Sequence, residues 1–351
     1  MQRDYRAVEE SFAHPGYRLH ELIQLLIRTP DLSAYFRAHP ERKVDLENRC
    51  QQTLCDAFAA QQPDALASVH QTLLALCDMH LYPPDKKPVF NQFEPTLSAL
   101  RHCLETAWLH HEQGRIPPLQ IPQEPHAFIR WIDELMLTHP LAAHLLFAYL
   151  EEQASFREMA DFFYQESTID ARLDDLLALG QIGMIDRVKL EIGENFWSEL
   201  GYGDPTLVHT TLFDALLAAF DVQSQQAAAS LLPEALACGN LLLVTALHRQ
   251  YVYVQHGVLA AMEMMAPERF TRIARGARRL GLPEHVLRYL DLHSTVDIQH
   301  GNGWRDNVLL PTVETNPAAC EDIVKGVFYR LHTSQDYCDA LYRRYLHGLL
   351  R

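Results

Sequence analysis

The chain has 351 residues, of which 48% are hydrophobic, and its formal net charge is −15. This length suits one large domain or two medium ones, with enough apolar residues to bury a sizeable core. The acidic balance argues against nucleic acid or an anionic membrane as the main partner.

The cysteines and the N-terminal residues indicate a cytoplasmic protein. Seven cysteines are scattered along the chain without a CxxC pair. This spacing favours reduced thiols over a disulfide framework or a structural zinc site. The first residues, MQRDYRAVEESF, lack the apolar run of a signal peptide. No window approaches the roughly 20 apolar residues that a membrane span requires.

Apolar residues recur at steps of three and four along almost the whole chain, which predicts an all-α fold. Strict alternation is scarce, and the YVYV run at 251–254 lies inside a helical pattern, so it too is predicted as helix. No repeat of fixed period is evident, so a solenoid is not expected. The predicted helices span residues 19–27, 44–60, 65–79, 96–113, 126–136, 140–153, 156–165, 176–198, 207–219, 225–237, 240–265, 270–280, 283–299, 318–332 and 334–349.

Two proline-rich segments, 81–95 and 115–125, interrupt these helices, because a helix cannot cross either one. The second carries four prolines in eleven residues, and we place the domain boundary at its end. Residues 1–125 are then a helical subdomain and residues 126–351 a helical bundle. The subdomain holds no constellation of chemical groups, and our hypothesis is that it buries surface in a homodimer.

The first candidate metal ligand in chain order is Glu166, which follows an aromatic stripe in FFYQES. A dinuclear metal site in a helical bundle needs four or more carboxylates and histidines from several facing helices. Glu166 could supply one of these carboxylates. It could equally be a surface residue near a helix end.

The next candidates are Glu199 and His209, in ELGYGDPTLVH. Ten residues of ideal helix would place them on different sides of the axis. Gly201, Gly203 and Pro205 interrupt the helix between them, and this break has to return both side chains to one side if they bind the same metal centre. Otherwise Glu199 is a polar residue at a helix end and His209 is a packing or capping residue.

Glu263 lies among apolar neighbours in LAAMEMMAP. A carboxylate in such surroundings is costly to bury unless it is paired or bound to a cation. Glu263 is therefore a candidate ligand. The alternative is a helix end at which its carboxylate reaches water.

His293, Asp297 and His300 lie four and then three residues apart in HSTVDIQH. On an α-helix these positions fall within about 60° of one another around the axis. A stripe of imidazole, carboxylate and imidazole suits a redox-active metal such as iron or manganese. The same residues also occur on solvated helix faces. Gly301 and Gly303 are predicted to end this helix.

Together these motifs resemble those of the heme-oxygenase-like diiron oxidases and oxygenases, which are often labelled iron-containing redox enzymes. HSTVDIQH matches the family's H-x3-D-x2-H motif, and Glu263 matches the carboxylate that precedes it by about thirty residues. Glu199 and His209 match the family's E-x9-H pair. Glu166 is the best match to the carboxylate of the first helix. The resemblance covers roughly residues 126–310 and implies a heme-oxygenase-like helical bundle.

The resemblance implies a non-heme iron enzyme with two ferrous ions. It implies no heme, because heme oxygenases proper use one proximal histidine and need no set of carboxylates. Dioxygen would be reduced to a peroxide that bridges the two ions and oxidises a small organic substrate. The implied outcomes are N-oxygenation of an amine, oxidative C–C cleavage and decarboxylation. No catalytic residue is expected beyond the metal ligands, which are Glu166, Glu199, His209, Glu263, His293, Asp297 and His300.

Substrate-binding candidates lie close in sequence to the ligand helices: Arg249, Tyr253 and Arg305. Either arginine could bind a substrate carboxylate through two nitrogens, although a surface ion pair is the ordinary alternative. The sequence does not identify an external electron donor. Two further interpretations stay open, namely a mononuclear or iron–manganese oxidase on the same scaffold, and a helical interaction protein with a vestigial site.

Overall fold

The computed structural model describes residues 5–14, 16–222 and 231–348. These residues are helical or irregular, with no strand among them, so the predicted all-α fold is confirmed. They divide into two compact units, one ending at Arg115 and the other beginning at Ile116. This division falls at the start of the proline-rich segment, whereas the sequence analysis places it at the end. The roles assigned to the two parts stay predictions.

The first unit is built from six α-helices and one π-helical turn within its described residues. Buried apolar side chains, among them Leu22, Leu73 and Trp108, form its core. Helix α2 packs against α5, and α6 packs against both α4 and α5. The helices are α1 Arg6–Ala13, α2 Leu19–Leu26, α3 Leu32–Ala38, α4 Glu41–Leu54, α5 Pro63–Asp78 and α6 Pro95–Gly114, with the π-helical turn at Cys55–Ala59.

The second unit contains the remaining helices, and all the candidate metal ligands lie in it. Within the described residues, the α-helices of this unit are α7 Pro125–Thr138, α8 Leu145–Glu152, α9 Phe156–Asp170, α10 Leu173–Gly180, α11 Asp186–Glu199, α12 His209–Ala219, α13 Pro233–Leu247, α14 Val252–Arg279, α15 Arg288–Gly303, α16 Leu310–Thr315 and α17 Ala319–Leu346. Short 3₁₀ turns span Pro140–Ala143, Gly201–Gly203 and Arg249–Tyr251, and a π-helical turn spans Trp304–Leu309.

Helix α14 lies at the centre of the second unit, packed between α15 and α17. Its crossing with α17 depends on two glycines that face each other's backbone. A Cβ atom at Gly257 would overlap the carbonyl oxygen of Ile323, and one at Gly326 would overlap that of Val254. The missing side chains let the two helix backbones approach closely where α14 and α17 cross.

The α-helical hydrogen bonding of α15 ends at Gly303, as the sequence predicts, but the chain does not leave the helical path there. It continues directly into the π-helical turn and α16. The two glycines also allow close approach of neighbouring groups. A Cβ at Gly301 would lie 3.4 Å from the Cα of Met264 on α14, and one at Gly303 would overlap the carboxylate of Glu191.

Two other predicted helices are interrupted in the structure. The predicted helix 176–198 is two helices, α10 and α11, separated by a turn in which Gly183 has a φ of 79°. The predicted helix 240–265 is interrupted by the 3₁₀ turn Arg249–Tyr251. Part of the predicted helix 225–237 lies outside the described residues. Among the helices of the described ranges, none is both long enough and apolar enough to cross a membrane.

Candidate metal centre

Six of the seven predicted ligands come from four helices and are all buried. Glu199 ends α11, His209 begins α12 and Glu263 lies in the middle of α14, while the other three lie on α15. None of the six is more than 9% exposed. Glu263 therefore does not reach water from a helix end, and His293 and His300 are not on a solvated face.

The glycine-rich turn brings Glu199 and His209 to the same place. Helix α11 ends at Glu199, and after Leu200 three consecutive residues have positive φ, with 61° at Gly201, 52° at Tyr202 and 88° at Gly203. Glycine adopts this region readily, which allows the chain to reverse within a few residues. Consequently Nδ1 of His209 lies 2.7 Å from Oε2 of Glu199, although a continuous helix would separate them.

The six side chains form two groups, each able to hold one metal ion. Within each group the ligand atoms lie within 4.8 Å of one another. In the first group, Nδ1 of His209 is 3.1 Å from Nε2 of His293. We call Glu199, His209 and His293 the first triad, and Glu263, Asp297 and His300 the second triad.

Glu199 joins the two triads through its two carboxylate oxygens. Its Oε2 contacts His209 of the first triad, and its Oε1 lies 3.7 Å from Nδ1 of His300 in the second triad. The same nitrogen of His300 is 3.6 Å from Oε2 of Glu263 and 3.4 Å from Oδ1 of Asp297. One carboxylate therefore faces both positions, as a bridging ligand would.

Neither ring nitrogen of His300 forms a hydrogen bond to any described residue. Its distances to the three carboxylates exceed those of well-formed hydrogen bonds. A buried polar group without a partner is costly, and a cation shared by the imidazole and the carboxylates would compensate for it. The residues present thus fit a metal ion, and their mixture of imidazoles and carboxylates suits iron.

The surroundings of the two triads favour an ionised carboxylate at Glu199 and a positively charged group beside it. Burial opposes ionisation of Glu199, but the neighbouring histidines outweigh it and lower its pKa to about 2. Burial also opposes the charge on His300, yet Asp297 and Glu263 raise its pKa to about 11. Without metal, imidazolium groups therefore balance the carboxylates. A bound cation would take over that role.

His293 is oriented as a neutral ligand. Its Nδ1 lies 2.6 Å from the carbonyl oxygen of Tyr289 and donates a hydrogen bond to it, which leaves Nε2, on the side of His209, as the unprotonated nitrogen that can bind a metal. Burial, with His209 adding to the effect, lowers the pKa of His293 to about 4. Phe270 packs on the ring at a centroid distance of 4.8 Å.

Glu166, the seventh predicted ligand, lies in neither triad. It is buried on α9, where its carboxylate forms an ion pair with Arg269. One turn later on the same helix, Asp170 places Oδ1 4.0 Å from Nε2 of His209, and burial raises its pKa to about 6. Asp170 is not among the ligands predicted from the sequence. Its signal was the four-residue spacing from Glu166, which puts both carboxylates on one face of the helix.

The predicted substrate-binding residues lie apart from the triads. Arg249 is exposed, and its Nη1 donates to the carbonyl oxygen of Leu179 over 3.3 Å. Tyr253 is partly buried and packs against His256. Arg305 pairs with Asp306 and lines a cavity of about 520 Å³ in the second unit. Two smaller spaces, of about 90 and 30 Å³, lie directly beside the candidate ligands.

Comparison with known protein families finds a match over residues 160–335, to a family described as iron-containing redox enzyme. This range contains both triads, Glu166 and Asp170, and it confirms the resemblance inferred from the motifs. No curated protein matches the chain.

Proposed function

Because the chain belongs to the iron-containing redox enzymes, we propose that it is a non-heme diiron oxidase or oxygenase. Its substrate would be a small organic molecule, oxidised at an amine nitrogen, at a C–C bond or by decarboxylation. Cofactor and co-substrate would be two ferrous ions and dioxygen.

The position of Glu199 is the observation that carries this proposal. Each triad offers one ion three protein ligands, and the two oxygens of Glu199 face one triad each. A single mononuclear site would need only one such group. Two groups that share a carboxylate are the arrangement expected for a pair of ions held close together.

The remaining residues would hold and shield the pair. Asp170 adds a carboxylate on the His209 side of the first triad. Tyr289 fixes the ring of His293 through its carbonyl oxygen, and Phe270 covers that ring. When bound, two ferrous ions would supply the electrons for reduction of dioxygen. The protein's contribution is to bind the ions at a fixed spacing and to exclude bulk water from them.

The space around the ligands supports a centre without heme. The two cavities that touch the triads measure about 90 and 30 Å³. Both are far smaller than the roughly 300–1,000 Å³ of pockets that hold organic ligands, so the ligand side chains themselves enclose no space of porphyrin size. The donor set of several carboxylates points in the same direction, because such ligands suit iron ions held directly by protein oxygens.

An anaerobic titration with ferrous iron tests the proposal. The wild-type chain should bind two equivalents and then consume dioxygen. Glu199→Gln keeps the side-chain shape but removes the bridging charge, so the second equivalent should bind at least about 10-fold more weakly. Glu194→Gln, on the exposed side of the same helix, is the matched control and should bind like the wild type.

The stoichiometry separates this proposal from its alternatives. One equivalent would indicate a mononuclear centre, and no binding would indicate a helical interaction protein with a vestigial site. A parallel titration with manganese, followed by metal analysis of the isolated protein, distinguishes an iron–manganese pair from a diiron centre. One equivalent, no binding, or an iron–manganese pair would each replace the diiron proposal.

A further inference from the structure

The cavity of about 520 Å³ has the size and lining of a small-molecule site. Much of its wall is apolar, contributed by α7, α8 and α14 and by the turn before α8. Met136, Leu141, Phe147, Met262 and Met265 are examples of these wall residues. A molecule that fills this cavity would therefore carry a substantial apolar body.

The inner end of this cavity adjoins the metal centre. Four residues, Ile169, Met262, Arg269 and Arg330, line both the large cavity and the 30 Å³ space beside the candidate ligands. Ile169 directly precedes Asp170, and Met262 directly precedes Glu263, in the sequence. A molecule in the cavity would thus place its inner end next to the triads.

Arg330 is positioned to bind an anion at this inner end. It lies on α17 and is only 2% exposed, yet its Nε and Nη1 form no hydrogen bond to any described residue. Burial raises the pKa of Asp170 and the charge of Arg330 partly offsets that rise, but no hydrogen bond joins the two side chains. A buried guanidinium without a hydrogen-bonded partner is costly, and its planar fork matches a carboxylate.

The other arginines that line the cavity already have carboxylate partners. Arg269 pairs with Glu166, Arg272 with Glu268 and Arg305 with Asp306. Two further donors near Arg330 have no hydrogen-bond partner among the described residues, namely the Tyr337 hydroxyl and Nε of Arg269. Several donors thus lie at the inner end without an acceptor.

We propose that the cavity binds a carboxylic acid with an apolar body, whose carboxylate is held by Arg330. The apolar body lies along the methionine, leucine and phenylalanine side chains. Because Arg330 lies at the inner end of the cavity, the carbon atoms of the acid that are closest to its carboxylate would lie beside the triads. That this acid is the substrate rests on the proposed diiron function, whereas its binding to Arg330 does not.

Calorimetry on the full chain tests this proposal with straight-chain acids from butyrate to decanoate, each compared with the alcohol of equal length. The chain is used both free of metal and loaded with iron. The metal-free wild type should bind the longer acids and should bind the alcohols much more weakly. Arg330→Gln should raise the Kd of the acids roughly 10–100-fold, the usual effect of losing a charged hydrogen bond, and leave the alcohols unchanged.

Two further variants complete the design. Arg272→Gln is the control: Arg272 lines the same cavity, but its guanidinium is already bonded to Glu268, so the Kd of the acids should stay within about twofold of the wild-type value. If Arg330→Gln does not fold, as judged by circular dichroism, Tyr337→Phe removes a single donor and should weaken acid binding by roughly 2–10-fold.

The outcomes separate this proposal from the diiron function. The carboxylate site would be overturned if no acid binds, or if acids and alcohols bind equally well. It would also be overturned if folded Arg330→Gln binds the acids as tightly as the wild type. An iron titration that gives fewer than two equivalents, with Arg330-dependent binding retained, would overturn the diiron function and leave the carboxylate site standing.

Discussion

Replacing His300 by alanine should reduce iron binding while leaving the helical fold intact. The side chain lies between three carboxylates, with Nδ1 3.4 Å from Asp297, 3.6 Å from Glu263 and 3.7 Å from Glu199. Without it the second triad keeps only two carboxylates. Losses of residues that merely orient metal ligands cost roughly 10–100-fold in affinity or activity, so a lost ligand should cost at least about 1.4–2.7 kcal/mol of binding free energy.

The free energy of unfolding of His300→Ala should fall by less than is usual when one partner of a buried charge pair is removed. Removing one partner of such a pair typically costs about 3–5 kcal/mol. Here burial raises the pKa of Asp297 to about 8, so this carboxylate can take up a proton when the imidazolium is absent. Helix α15 also retains its apolar contacts with α14, through residues such as Tyr289 and Leu290.

The assay is an anaerobic ferrous titration of the His300→Ala variant, followed by dioxygen consumption and circular dichroism. We expect one tight equivalent in place of two, no oxygen-dependent turnover and unchanged helicity. His285→Ala is the matched control, because His285 is exposed just before the same helix. A variant that unfolds, with unchanged iron uptake by its folded fraction, would show that His300 is a core histidine and would refute the reasoning.

Three further predictions concern stability and assembly. Gly257→Ala should lower the free energy of unfolding by about 1–3 kcal/mol, because the added Cβ meets the α17 backbone. Gly193→Ala is the control: this glycine lies in open surroundings on α11, and the change should be less than about 1 kcal/mol. Urea titration measures both free energies. Burial, assisted by Arg249, lowers the pKa of His256 to about 3. Stability should therefore fall as pH decreases below about 6.5, and His256→Phe should recover up to about 3 kcal/mol at pH 4, as measured by urea unfolding at pH 7 and pH 4. If residues 1–125 form a homodimer interface, light scattering at micromolar concentration should give twice the chain mass of 40.2 kDa, and a monomer mass would remove that hypothesis.

The sequence carries most information where all members of a motif lie on one helix. His293, Asp297 and His300 share a face of α15 because their spacing matches the helical period. The isolated Glu263 follows from the cost of burying a carboxylate among apolar residues. Both inferences need only local periodicity and composition, so they can be made before the fold is known.

Other parts of the centre depend on geometry that periodicity does not contain. The approach of Glu199 to His209 requires three consecutive residues with positive φ, and only the two glycines hint at that turn. On α9 the choice between Glu166 and Asp170 depends on the rotation of the helix and on Arg269, which pairs with Glu166.

Arg330 illustrates the same limit for the proposed carboxylate-binding cavity. It lies on the last long helix, thirty residues after the final metal motif, and nothing in its sequence neighbourhood marks it as a binding residue. Only tertiary packing brings α17 against α14 and places Arg330 at the inner end of the cavity. Arginines close to the motifs in sequence, such as Arg249, are exposed instead.

The balance of charge explains how six ionisable groups can be buried together before any ion binds. Glu199 keeps its negative charge beside His209, whose pKa its carboxylate raises to about 9 against the effect of burial. His300 carries a second positive charge among the carboxylates, while burial keeps His293 neutral. Positive charge on His209 and His300 thus offsets negative charge in the centre, which lowers the cost of burying these side chains in the absence of a metal. In the proposed diiron centre, iron would then displace protons from imidazoles that are already in place, as in a site that forms before its metal binds.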